Sequence, residues 1–216
     1  MLTIHAAPLV LPVGAAAVAD GAVAVDGDRI AALGPYAEVA AAHPAARVRR
    51  WPGLLTAGLR QDRPADLLVR CYHPDPREAD ELGELPLWGP AFDRIAATMD
   101  ATRRAGSVRR GLQRMLRHGT THLAGPLGAD DPALRTAVAR SGLVVVPPPP
   151  VREGPPELDP FAAGGDLART AGAPLTVGGR ADLAVFDVPD ESALHAAGAG
   201  SCVATVLAGR LVHRAR

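Results

Sequence analysis

Few residues of this chain could hold a metal or move a proton. It has 7 histidines and 2 cysteines. His118 and His122 stand at i and i+4, the spacing with which one helix face presents two imidazoles to zinc. Gly119, Thr120 and Thr121 lie between them and predict a helix end followed by a strand. The two are therefore not expected on one helix face. His118 reads as a cation at a helix C-terminus and His122 as a strand side chain. Cys71 and His73 make a Cys-x-His pair, but no second pair follows at a usable spacing. Their surroundings predict a solvent loop. His5, His43, His195 and His213 are isolated and expected at the surface. The acids Glu78, Asp80, Glu81 and Glu84 sit in the run Asp75–Glu84, which predicts a solvated loop rather than an acid–base pair. His73, His118 and His122 remain weak candidates, with no catalytic residue assigned.

Composition removes other chemistry. All 23 basic side chains are arginine, against 23 acids and a net charge of +0. Without lysine there is no Schiff base, no P-loop lysine and no carbamylated lysine between two metals. Neutral charge argues against a nucleic-acid binder. Arg103, Arg104, Arg109, Arg110, Arg114 and Arg117 form a local cluster that reads as a solvated helix face, with an anion-binding module as the weaker alternative. No nucleophile elbow and no glycine-rich phosphate loop is present. No apolar run is long enough to span a membrane. The N-terminus lacks a basic segment and is interrupted by Pro8, Pro12 and Gly14, which argues against a signal peptide. Cys71 and Cys202 show no disulfide or metal spacing and suit a reducing cytoplasm. Aromatic residues are only 3%, so the core must come from Ala, Val and Leu.

The elements that position these residues read as follows. Strands are expected at 3–6, 21–25, 29–33 and 47–51, with a hairpin turn at Asp26-Gly27-Asp28. A short helix is expected at 36–42. Another apolar strand covers 54–60, and 63–90 reads as irregular. One helix carries Phe92, Ile95, Ala96 and Met99 and stops at Gly106. A second begins at the N-cap candidate Ser107 and carries Val108, Leu112, Met115 and Leu116. Strand 120–124 follows, then a helix capped by Asp131 with Pro132 first and Gly142 last, then strand 143–146. That alternation predicts parallel βαβ units. Residues 147–160 read as a proline-rich linker. After a short helix within 161–171, strands return at 181–187, 202–207 and 210–214, with a turn at Ala208-Gly209.

On these residues the chain resembles a known family. GAVAVDGDRIAALGP and WPGLL near the front, with PLTVGGRADLAVFD and VATVLAGRLVHR at the back, are similar to the amidohydrolase superfamily. The likeness is nearest to its imidazolonepropionase and aminofutalosine deaminase group. RRGLQRMLRHGTTHLAG and RSGLVVV resemble the first part of that family's barrel. The resemblance implies a composite β-sandwich built from both chain ends beside a (β/α)8 barrel, and hydrolysis of non-peptide C–N bonds. It also implies a metal held by a His-x-His pair after the Pro-Gly-Leu turn. Aligned on Pro52 to Ala57, Gly58 and Arg60 occupy those two positions. Glycine offers no ligand, and arginine is a permanent cation. A complete barrel needs about 250 residues, more than this chain has.

The expected fold class is therefore α/β (α+β). Residues 1–53 and 172–216 form a composite sandwich, 54–146 hold a truncated barrel segment of about three strands, and 147–171 are linker and short helix. Its exposed parallel edge calls for cover by the 63–90 loop, the linker or a second subunit. The expected function is a degenerate, non-catalytic protein of hydrolase ancestry. The alternative is an active metal-dependent deaminase or amidohydrolase with a rebuilt or trans-completed site. No cofactor is expected, or zinc or iron under the alternative. A homo-oligomer or a partner enzyme subunit is left open, with neither nucleic acid nor membrane.

Overall fold

The computed structural model describes residues 2–128, 131–149, 154–162 and 164–215. The linker positions 150–153 and position 163 of the expected short helix lie outside them. In chain order the N-terminal elements are β1 (Thr3–Leu11), β2 (Val18–Asp26), β3 (Arg29–Pro35), α1 (Tyr36–Ala42), β4 (Arg47–Arg50), β5 (Leu54–Ala57) and β6 (Leu59–Gln61). The middle holds α2 (Pro64–Val69), β7 (Cys71–Tyr72), α3 (Ala79–Leu82), β8 (Leu87–Trp88), α4 (Pro90–Ala96), α5 (Ala101–Arg117), β9 (Thr120–Ala124), α6 (Pro132–Ser141) and β10 (Val144–Val146). The C-terminal part has α7 (Leu167–Thr170), β11 (Leu183–Phe186), α8 (Glu191–Ala197), β12 (Cys202–Leu207) and β13 (Arg210–Arg214).

The chain divides into two compact units. The first comprises residues up to Arg60, Leu116–Thr121 and those from Asp159 on. Its sheet runs β13-β12-β11-β5-β1-β2-β3, with β4 beside β1. The two chain ends meet where β5 pairs antiparallel with β11. β1 serves two parallel partners in turn, β4 along Thr3–Ala6 and β5 along Leu9–Leu11. Val23, Val25 and Ile30 from one end share a core with Leu183, Val185, Ala204 and Val206 from the other. Strands far apart in the sheet order thus line one interior, so the sheet folds over itself as a composite sandwich. The opposite face of the middle strands packs Leu54, Ala184 and Phe186 against Phe161, Leu167 and Leu194. Aliphatic side chains dominate both interiors, as the scarcity of aromatics requires. Asp182 is buried and accepts the Ala208 N–H at 2.7 Å, tying the β12–β13 turn to the start of β11.

The second unit comprises Gln61–Met115 and His122–Leu158. Strands β6 and β9 each run from the first unit into the second. A three-stranded sheet has the order β10-β9-β6, with β9 and β10 parallel. That is the expected remnant of three strands. Helix α6 starts as read: Asp131 accepts the Leu134 N–H at 2.9 Å, Pro132 is first, and Gly142 closes it in a left-handed conformation. The Gln61 amide donates to the Glu157 carbonyl at 3.0 Å, and Arg63 to that of Gly154 at 2.6 Å. Linker residues therefore run along the end of β6.

Three expectations fail here. The break at Gly106–Ser107 does not exist, because α5 is one 17-residue helix passing through both. Its N-terminus is capped earlier, where Asp100 accepts the Arg103 N–H at 2.7 Å. The 63–90 segment is not irregular but holds α2, α3 and the β7–β8 pair. These elements are two to six residues long, too short to leave a periodic signal. The 54–60 strand is split, because the chain leaves the large sheet after Ala57 and enters the small one at Leu59.

Candidate functional site

The position where the resemblance implies a metal is the joint between β5 and β6. β5 is fully buried and paired on both sides, so the joint is fixed. The Gly58 N–H donates to the Asp182 carbonyl at 3.0 Å, and its carbonyl accepts from Gly172 at 2.8 Å. A Cβ at Gly58 would meet Thr121, lying 2.8 Å from its Cβ and nearer still to Oγ1 and Cγ2. Thr121 is fully buried, and a β-branched side chain has little rotamer freedom with which to yield. Two residues on, Arg60 donates from Nη2 to the Arg169 carbonyl at 2.9 Å. The residues present do not fit a divalent ion. The first position has neither donor nor room, and the second carries a fixed positive charge. Among the described residues no group of three or more His, Cys, Asp or Glu side chains is placed to hold one.

The structure does not gather the three histidine candidates at this joint. His122 is buried within β9. His118 follows the last residue of α5 and is half-buried. His213 is held below the ordinary histidine range by burial, with Arg117 and His118 adding positive charge against a hydrogen bond at the Cys202 backbone.

His73 corrects the solvent-loop reading. It is fully buried, beside buried Cys71. Its N–H donates to Ser107 Oγ at 2.9 Å, and Nε2 lies 2.8 Å from the Leu67 carbonyl. Ser107, expected as a helix cap, instead accepts from the neighbouring strand's end. Nδ1 is buried without a partner. Burial pushes the His73 imidazole down to about 4, with Arg114 and Arg110 adding to the effect against the Leu67 hydrogen bond. Burial, together with Asp66, pushes the Cys71 thiol up to about 11. A protonated thiol is not a metal ligand. His5, also expected at the surface, is buried and accepts from Trp51 Nε1 at 3.1 Å.

Gly111 makes the room for His73, since a Cβ there would stand 2.7 Å from His73 Nε2 and 2.9 Å from Leu68 Cδ2. Gly111→Ala therefore sets two effects against each other. Alanine gains about 1 kcal/mol in helix propensity, while overpacking a closed core costs about 1–3 kcal/mol. A net loss of stability is expected in urea denaturation. A variant more stable than the parent would contradict this packing.

The acidic run is also not simply solvated. Tyr72 is fully buried. Its hydroxyl donates to Glu78 at 2.5 Å and accepts from Arg103 Nε at 2.9 Å. Arg103 Nη2 closes the knot on Glu78 at 2.7 Å. Burial alone would raise the Glu78 carboxyl, but hydrogen bonds from Tyr72, the Asp75 N–H and Arg103 hold it below its usual range. Asp75 accepts from Arg77 N and pairs with Arg110 at 3.1 Å. Arg104 pairs with Asp131 at 3.1 Å. Much of the α5 arginine face is therefore committed to neighbours inside its own unit. The sequence missed this knot because its members lie up to 31 residues apart.

Residues 21–46 match the family model for the bacterial imidazolonepropionase-like composite domain. No curated protein matches the chain. Similar solved structures include an adenosine deaminase from Xanthomonas campestris with bound zinc, at 21% identity and TM-score 0.45 over 67% of this chain and 33% of that one. Guanine deaminase from Bradyrhizobium japonicum is similar at 15% identity and TM-score 0.46, over 67% and 34%. Guanine deaminase from E. coli is similar at 13% identity and TM-score 0.46, over 73% and 38%. The chain covers 30% to 38% of the structures named here and of the ochratoxinase from A. niger. No helix among the described residues is long and apolar enough to cross a membrane. The front hairpin of the large sheet and the helix after it, residues 21–46, are thus the part of the chain that is similar to the bacterial imidazolonepropionase-like composite domain.

Proposed function

We propose that this protein descends from hydrolases of non-peptide C–N bonds and acts without catalysis, as a binding or partner subunit in the cytoplasm. One observation carries the reading: the space a first metal-binding side chain would need at position 58 is filled by Thr121. Arg60 supports it with a fixed cation at the second position. Both cysteines are buried free thiols, which supports a reducing compartment.

The test is turnover. Cyclic amidines and aminopurines should be assayed with the full chain, with zinc or iron added and with a chelator. The reading expects no hydrolysis above the buffer rate in any arm. Hydrolysis that a chelator abolishes and zinc restores would overturn it in favour of an active amidohydrolase.

A further inference from the structure

Among the described residues, three arginines of the composite unit come together with no acid paired to them. Among the described residues β4 pairs only with β1. Side chains alternate across an extended strand, so Arg47, Arg49 and Trp51 share one face. Register sets His5 of β1 opposite Arg49. Trp51 and His5 stack with ring centres 6.0 Å apart, locked by the hydrogen bond between them. From β13, Arg214 brings its guanidinium to 5.9 Å from the Trp51 ring centre. Among the described residues, no carboxylate pairs with Arg47, Arg49 or Arg214.

An ordinary surface strand with solvated arginines would not look like this. Arg49 Nε is buried with no hydrogen-bond partner. Burial, then the charges of Arg47 and Arg214, make its protonated form harder to keep. Arg49 thus lies within reach of the charges of Arg47 and Arg214, with Arg214 also beside the Trp51 ring, and each cation would gain from a shared counter-charge. Arg47 and Arg214 remain exposed, so the group is open to solvent.

We propose that Arg47, Arg49 and Arg214 form a binding site for a phosphate-type oxyanion, with the Trp51–His5 pair as its rigid floor. Guanidinium forks match the oxygens of such an anion with charge-assisted hydrogen bonds. A multivalent anion answers three cations at once, whereas chloride offers one charge and no oxygen. This assignment stands apart from the β5–β6 joint and does not depend on whether the chain catalyses anything. Free phosphate and a phosphate ester present the same oxygens, so the test carries an arm for each.

The experiment is calorimetric titration of the full chain with inorganic phosphate, pyrophosphate and glycerol phosphate, in about 0.15 M chloride, where the Debye length is about 8 Å. Saturable binding of at least one probe is expected, with the monoester favoured if the natural ligand is an ester and the free anions favoured otherwise. Arg49→Gln and Arg214→Gln should each weaken it by roughly tenfold or more, the scale of one lost charge-assisted contact. Arg47→Gln, at an exposed position, serves as a third variant should either of those fail to fold. Arg109→Gln and Arg140→Gln, exposed in the other unit, should bind as the parent does. Absence of saturable heat with all three probes, or unchanged affinity in the folded arginine variants, would overturn the assignment.

Discussion

Replacing Gly58 with histidine should destabilise the composite unit by about 3 kcal/mol or more, the upper range for overpacking a closed core, and should not create a metal site. The backbone on either side of Gly58 is held by hydrogen bonds to Asp182 and Gly172. The new side chain cannot swing away by backbone movement without breaking them. It points at Thr121, which is fully buried. The effect should be strongly non-additive with Thr121→Gly. Each single variant loses stability, but the double variant should recover part of the Gly58→His loss, because residues in contact couple. A double-mutant cycle in urea measures that coupling. Simple additivity would mean that Thr121 is not what closes the position.

Acid should unfold this protein earlier than its carboxylates alone would suggest. His5 and His73 are each lowered from 6.5 to about 4. Burial is the main cause for both, with Arg49 adding to it for His5 and Arg114 and Arg110 for His73. The sign follows from which state takes the proton first. Below pH 6.5 the unfolded chain binds protons at these positions, while the folded chain does not until about 4. Stability is therefore full above the unfolded value and falls as pH drops through this window. Each histidine contributes about 1.4 kcal/mol per pH unit, or on the order of 3 kcal/mol in all. Asp182 works in the opposite direction. Burial raises its carboxyl above the usual range, so the folded state protonates first there and regains part of the loss. Urea denaturation between pH 7.5 and 4.5 should show the decline, and His73→Gln should flatten its share. Histidine NMR titrations offer a direct check: two imidazoles should stay neutral well below pH 6. Two ordinary titrations near 6.5 for His5 and His73 would contradict their burial.

Legibility in the sequence followed the physics of each signal. β12 and β13 appear at the residues expected, because an Ala-Gly turn separates two apolar strands there. α6 did so because Asp131, Pro132 and Gly142 mark both its ends. The His5 environment was hidden because β1 is buried along most of both faces, which removes the alternation that distinguishes inside from outside. The unbroken α5 was hidden because Gly106 and Ser107 resemble a stop and a cap. Within the helix they are small buried residues, and Ser107 serves His73. Substitution of the implied His-x-His pair by Gly58 and Arg60 was visible at once. That the first position is sterically closed was not, because Thr121 lies 63 positions further along and only the folded chain brings it to Gly58.

The central claim of the proposed function is that the joint at Gly58 and Arg60, where the resemblance implies a metal, holds none. Metal content by mass spectrometry on freshly purified protein, paired with its native mass, tests that most directly. The account predicts zinc and iron far below stoichiometric levels, unchanged after dialysis against either metal. Near-stoichiometric zinc or iron, bound through the chain's own residues, would contradict it.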